Sequence, residues 1–186
     1  MRTFIAVEIP KDIQKAIGDY IDSIRGSFKG IKWVSPENLH LTIKFLGEVK
    51  ESDLKNLSNC VEKAASDFSP FSIGLSNIGF FPSSKNPKVI WIGADGGADN
   101  LLSLFQELEN FLENLGFDRE ARTFSSHLTI GRVKKQKKHN YNRSINPEEL
   151  QVFESVKFYV KSIAIIKSTL TPQGPIYEKL YEGKLK

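Results

Sequence analysis

Hydrophobic and polar positions alternate with two periods along this chain, and the switches between them divide it into strands and helices. Phe4-Ile5-Ala6-Val7-Glu8-Ile9 is an apolar run ended by Pro10, the pattern of a buried strand. From Asp12 to Ile24 the spacing turns helical, with Ile13, Ala16, Ile17, Tyr20, Ile21 and Ile24 on one stripe. Gly26 and Gly30 punctuate its end, and Ile31-Lys32-Trp33-Val34 predicts a short strand. A turn at Ser35-Pro36-Glu37-Asn38 precedes an alternating strand over His40–Gly47. The spacing of Leu54, Leu57, Val61, Ala64 and Ala65 predicts a second helix over about 51–66.

Residues 67–82 are aromatic and β-branched with interspersed glycines and predict one long, bent strand; Lys88–Gly93 predicts another. Asp99 or Asn100 is suited to cap a third helix, whose stripe is Leu101, Leu104, Phe105, Leu108, Phe111, Leu112 and Leu115, with Gly116 as its stop. Phe124–Val133 predicts a strand, 134–144 a polar lysine-rich loop, and Phe158–Ile166 a late strand. The Thr171-Pro172-Gln173 turn then leads into a return strand over Gly174–Leu180. Strands often follow strands, which favours an α+β fold with antiparallel pairing over a doubly wound parallel sheet. Gly93-Ala94-Asp95-Gly96-Gly97 is glycine-rich, but it lacks the spacing and the following Lys-Ser or Lys-Thr of a phosphate loop.

Composition narrows the class. With 186 residues, 40% hydrophobic and 26% charged, the chain fits one compact domain or two small lobes sharing a core. Thirteen Phe argue against disorder. The net charge of +4 suits a polyanionic ligand such as RNA, without requiring one. A single cysteine, Cys60, excludes an intrachain disulfide and a cysteine-rich zinc site, and it falls on a helical pattern as an ordinary structural thiol. No apolar run is long enough for a signal segment or a membrane span, so a cytoplasmic location is the default expectation; separately, a monomer is expected.

The chemistry lies in a repeat. Two of the three histidines open the tetrapeptides His40-Leu41-Thr42-Ile43 and His127-Leu128-Thr129-Ile130, 87 residues apart, close to half the chain. On a strand, residues i and i+2 share a face about 6.6 Å apart. Each His therefore shares a face with its Thr, while the Leu and Ile anchor the strand from behind. Two lobes packed about a pseudo-twofold axis would bring both pairs to one cleft. Opening a phosphodiester needs one group to take a proton from water and another to give one to the departing alkoxide, tasks that two imidazoles can divide. The Thr hydroxyls can donate to the non-bridging oxygens as charge builds. No metal or cofactor is needed for this.

A lone His beside a Thr on a strand is usually structural; it is the duplication that points to catalysis. A zinc site is the competing reading, but no third ligand or His-x-x-x-His spacing supports it. His139 stands in the lysine-rich loop and reads as solvated.

The strings His40-Leu41-Thr42-Ile43-Lys44-Phe45-Leu46-Gly47-Glu48 and Ser126-His127-Leu128-Thr129-Ile130-Gly131-Arg132-Val133 resemble the two signature motifs of the 2H phosphoesterase superfamily. More closely they resemble its RNA 2′,3′-cyclic phosphodiesterases, also called 2′-5′ RNA ligases. Arg2–Val7 and Ser168–Tyr177 look like the opening and closing segments of that family, so the resemblance spans essentially residues 1–186. It implies one bilobal α+β domain of two intertwined, pseudo-twofold duplicated lobes, with antiparallel sheets and outer helices around a central cleft. It also implies metal-independent hydrolysis of RNA 2′,3′-cyclic phosphate ends to 2′-phosphomonoesters, with 2′-5′ ligation as the reaction in which an RNA 5′-hydroxyl takes the place of water. By carry-over, His40 is the proton donor, His127 the proton acceptor, and Thr42 and Thr129 hold the phosphate.

Two basic residues near the motifs stay open. Alternation continues the His40–Thr42 face to Lys44, which would then reach the phosphate. Strict alternation turns Arg132 away from His127, although a bulge at Gly131 would rotate it inward. The resemblance makes Arg132 a phosphate contact; a surface or inter-strand role is the other reading. Lys134, Lys135, Lys137, Lys138 and Arg143 form the densest positive segment, either a solvated loop or a guide for the RNA strand. Phe45, Phe80, Phe81 and Phe124 are candidates for stacking on a base or for the core. Other functions consistent with the residues are a 2H enzyme for another cyclic phosphate or a 2′-5′-linked nucleotide, and a non-catalytic RNA-binding module.

Overall fold

In the computed structural model, residues 1–134 and 153–186 are described. Strand β1 (Arg2–Glu8) is followed by α1 (Lys11–Arg25), the short β2 (Ile31–Trp33) and β3 (His40–Glu48). Next come α2 (Leu54–Ser66), β4 (Phe71–Phe81), β5 (Val89–Ala94) and α3 (Ala98–Glu113). The chain ends with β6 (His127–Val133), β7 (Val156–Val160), β8 (Ser162–Leu170) and β9 (Pro175–Lys184).

Among the described residues all strand pairs are antiparallel, and they form one nine-stranded sheet in the order β7-β4-β5-β6-β3-β1-β8-β9, with β2 added on β6. The order is a palindrome in architecture. Reading outward from the central β3–β6 pair, each motif strand has three successive partners on its own side. The expected pseudo-twofold α+β arrangement therefore takes the form of two halves of a single sheet. β3 meets β6 at one residue pair, Leu41 and Leu128, and β2 occupies β6 further along, opposite residues 131–133.

The helical stripes bury as the periodicity demands, with small changes. In α1 the buried face is Ile13, Ile17, Gly18, Ile21 and Ile24, so Gly18 takes a place expected for Ala16. The reason is steric: a β-carbon on Gly18 would lie 2.8 Å from Pro36 Cγ. α2 buries Leu57, Val61, Ala64 and Ala65 and packs on α3, β8 and β9. α3 starts after Gly97, which has φ of 81° and lies so close to Ser72 that a β-carbon there would be 2.1 Å from the carbonyl oxygen.

Most strands match the sequence reading to within a few residues at each end, and three differences change the picture. β4 begins at Phe71 instead of 67, and β6 begins at His127, leaving Phe124 in the preceding segment with its ring stacked on Phe105 at 4.6 Å. The run expected as one strand over Phe158–Ile166 is two. β7 pairs with β4 at one end of the sheet, and β8, starting one residue later, pairs with β1 in the other half. Lys161 is the only residue between them, so alternation runs through the crossover and conceals it.

The main core lies behind the motif strands. Leu41, Ile43, Leu128 and Ile130 join the helix stripes in one buried cluster. A second, smaller cluster of Phe4, Ala6, Ala164 and Ile166, with Tyr177 against it, forms separately.

Candidate active site on the β3–β6 pair

The pairing of Leu41 with Leu128 sets the site. In this antiparallel register His40 stands across from Thr129, and Thr42 across from His127. Leu41 and Leu128 are fully buried, so the alternate residues His40, Thr42, His127 and Thr129 share the opposite, partly exposed face. The two histidines are diagonal neighbours, a relation that places the residues about 7–8 Å apart with their β-carbons somewhat closer.

Each imidazole is oriented in the same way. His40 Nδ1 is 2.8 Å from the Asn38 carbonyl oxygen, and His127 Nδ1 is 2.7 Å from that of Ser125. A carbonyl only accepts, so Nδ1 carries the proton and donates it. Nε2 is then the free nitrogen on both rings. It accepts a proton when the ring is neutral and donates one when the ring is charged.

Aromatic rings wall in each imidazole. Phe4 lies 4.8 Å from the His40 ring and Tyr177 meets it edge-on at 5.2 Å. Phe81 meets His127 edge-on at 5.0 Å, with Trp91 at 6.0 Å. Gly79 lets the indole lie across β4, since a β-carbon there would be 2.1 Å from Trp91 Cζ2. Burial pushes both imidazoles below their ordinary value near 6.5. The carbonyl contacts push back, and the positive charge of Arg132 adds to the lowering.

Both motif strands contain a bulge at the same place. Ala6 pairs with Thr42 and Ile5 with Lys44, so Ile43 is an extra residue. Trp91 pairs with Thr129 and Ile90 with Gly131, so Ile130 is its counterpart. A bulge shifts every later residue to the other face. It overturns the expectation for Lys44, which turns into the protein. There its ammonium pairs with the Glu109 carboxylate and donates to the Asp118 carbonyl at 2.6 Å. It brings Arg132 onto the histidine face, where its charge acts on His40, His127 and Tyr177. The two halves differ at these positions for a packing reason. Gly131 is covered by Ile31 and Trp33 of β2 and has no room for a side chain, while Lys44 has Glu109 to receive it.

The same shift exposes Phe45, 59% accessible and 6.0 Å from Phe4, as the counterpart of Arg132. Of the other stacking candidates, Phe81 packs on His127, Phe80 against the main core and Phe124 on Phe105. Cys60 is half-buried with Sγ 3.8 Å from the Phe111 carbonyl, and burial raises its thiol. Lys134 closes the described part of the basic segment; Lys135, Lys137, Lys138, His139 and Arg143 lie outside the described residues. The carbonyls of Asn38 and Ser125 and the rings of Phe4, Tyr177 and Trp91 were not among the sequence candidates. For the two carbonyls the hint was the position two residues before each histidine, and Phe4 and Tyr177 stand inside the opening and closing segments that carry the resemblance. Among the described residues no group of three or more potential metal ligands occurs, and no helix is long and apolar enough to cross a membrane.

The family described as LigT-like phosphoesterase matches this chain twice, over residues 7–91 and 92–177, and each matched segment holds one His-x-Thr motif. The chain belongs to the LigT-like phosphoesterase family. A Methanocaldococcus jannaschii protein named RNA 2′,3′-cyclic phosphodiesterase is 44% identical, the match covering 98% of this chain and 99% of that one. A Thermotoga maritima protein of the same name is 37% identical over 98% of this chain and 94% of its own. The crystal structure of TT0787 from Thermus thermophilus shares the fold with a TM-score of 0.84 at 28% identity, covering 100% of this chain and 98% of that one.

Proposed function

We propose that this LigT-like chain opens 2′,3′-cyclic phosphates at RNA ends to 2′-phosphomonoesters, with His127 as base and His40 as acid. The observation that carries the reading is the symmetric orientation of the two rings. Each Nδ1 is committed to a backbone carbonyl, so each Nε2 is free, on the face that the two rings share with Thr42 and Thr129. In this reaction His127 Nε2 takes a proton from water as the water oxygen bonds to phosphorus. The P–O3′ bond breaks, and His40 Nε2–H delivers its proton to O3′. Thr42 and Thr129 donate to the non-bridging oxygens, and Arg132 offsets the charge that accumulates there. The names of the relatives support this substrate. The donor and acceptor labels rest on the family resemblance. The near-symmetry of the site serves either direction, which suits a reversible 2′-5′ ligation at the same atoms.

The test is turnover of a 2′,3′-cyclic nucleotide in the presence of a chelator, with the product identified. A 2′-phosphate formed at undiminished rate is expected. A 3′-phosphate product, or activity lost to the chelator, would contradict the reading.

The lowered imidazoles give a pH signature. Catalysis needs one ring neutral and one protonated, so kcat/KM should be bell-shaped. Both rings lie below the ordinary value near 6.5, which places the optimum on its acid side. A nearby cation favours the neutral imidazole, so Arg132→Gln should move both limbs of the profile to higher pH as well as weaken phosphate binding. Limbs that stay in place in that variant would remove Arg132 from the site.

A further inference from the structure

Arg132 has a neighbour that none of the chemistry above uses. In the β2–β6 pair, Lys32 stands directly across from Arg132, and both are exposed. Residues opposite one another on antiparallel strands project to the same face with β-carbons about 4.5–5.5 Å apart. The bulge that carries Arg132 onto the histidine face therefore sets Lys32 on that face too. The far side of Lys32 is also defined. Its Nζ is 3.7 Å from the position a β-carbon would take on Gly174, in the tight turn joining β8 to β9. That same hairpin carries Tyr177, whose ring meets His40 at 5.2 Å. The ammonium thus sits at the rim of the catalytic groove, between Arg132 and the hairpin tip.

Two like charges directly across a ladder destabilise the pair unless an anion lies between them. Lys15, Lys44, Lys167, Lys179, Arg25, Arg119 and Arg122 all have acidic partners. Among the described residues no carboxylate pairs with Lys32 or Arg132. A pair of cations left uncompensated on the rim of a phosphate site calls for a second phosphate.

We propose that Lys32, beside Arg132, binds the internucleotide phosphate adjacent to the cyclic end, so that the site prefers an oligonucleotide to a mononucleotide. This rests on the cyclic phosphodiesterase reading and deepens it. Arg132 presents several N–H donors and can face both phosphates, whereas Lys32 is a point charge that reaches the outer one alone. A nucleoside 2′,3′-cyclic phosphate has nothing to offer Lys32, and a dinucleotide ending in a 2′,3′-cyclic phosphate has one more anion.

The experiment compares kcat/KM on those two substrates for the wild type, Lys32→Ala and Lys32→Arg, across a salt series. Lys32→Ala should lower the ratio of dinucleotide to mononucleotide kcat/KM roughly tenfold, the worth of one charge-assisted contact. The slope of log kcat/KM against log salt for the dinucleotide should flatten by about 0.7, one phosphate's share on a single strand. Lys32→Arg should keep most of the ratio. A ratio and salt slope unchanged in Lys32→Ala, or equal losses on both substrates, overturn the subsite. Wild-type turnover of the mononucleotide tests the underlying reading separately. No turnover of either substrate by the wild type removes both proposals, whereas normal turnover with an unchanged ratio removes the subsite alone.

Discussion

His127→Ala and His40→Ala are each expected to lower kcat on a 2′,3′-cyclic nucleotide by roughly 10²–10⁴-fold, the usual contribution of a positioned acid or base. The loss should come from proton transfer and not from unfolding. Both rings sit on the partly exposed face of the β3–β6 pair, outside the main cluster formed by Leu41, Ile43, Leu128 and Ile130. Removing either imidazole orphans one carbonyl, of Asn38 or Ser125, at the start of a strand. Both variants should therefore melt cooperatively, close to the wild type. The double variant should be scarcely slower than either single one, because acid and base act as a unit. The measurements are single-turnover rates, which isolate chemistry from product release, alongside thermal melts. Substantial chemistry surviving in either folded single variant would sink the two-histidine mechanism.

The residues that were legible in the sequence are those whose role depends on local spacing alone. His40 and Thr42, and His127 and Thr129, share a face because they are two apart on a strand, and no tertiary information is needed to say so. The stripes of α2 and α3 were readable for the same reason. What was not legible depends on one extra residue or on a distant partner. Counting by twos from His40 reaches Lys44, and counting from His127 misses Arg132. A single bulged residue, Ile43 or Ile130, reverses both results. Both bulges place an isoleucine in the buried layer beside another buried residue, a pattern that composition does not separate from regular alternation. The aromatic walls come from β1, β4, β5 and β9, strands far away in the chain, so no motif contains them. Lys32 is likewise ordinary in sequence. It acquires meaning only when β2 pairs with β6 and sets it opposite Arg132.

Lys44 yields the largest expected effect on stability. Its ammonium and the Glu109 carboxylate are both buried, and each also holds a backbone group. Lys44 donates to the Asp118 carbonyl at 2.6 Å, and the other Glu109 oxygen accepts from the Glu120 amide at 2.8 Å. Lys44→Met leaves a buried carboxylate without its counter-ion, and Glu109→Leu leaves a buried ammonium. Removing one partner of such a pair costs about 3–5 kcal/mol. Removing both charges together often costs little elsewhere, but here it would also orphan the Asp118 carbonyl and the Glu120 amide. Each buried unpartnered group costs about 1–3 kcal/mol, so the double variant should recover only part of the loss. Denaturant titration of the two single variants and the double variant measures this as a cycle. The expected result is a double-variant loss well below the sum of the singles, yet above zero. The same variants separate the two placements of Lys44. A lysine in the cleft, as alternation predicts, would lower phosphate affinity and flatten the salt dependence when removed, with little change in stability. A lysine tied to Glu109 behind the sheet should lower the denaturation midpoint and leave the shape of the pH–rate profile as it was. Arg132, on the histidine face, should do the reverse.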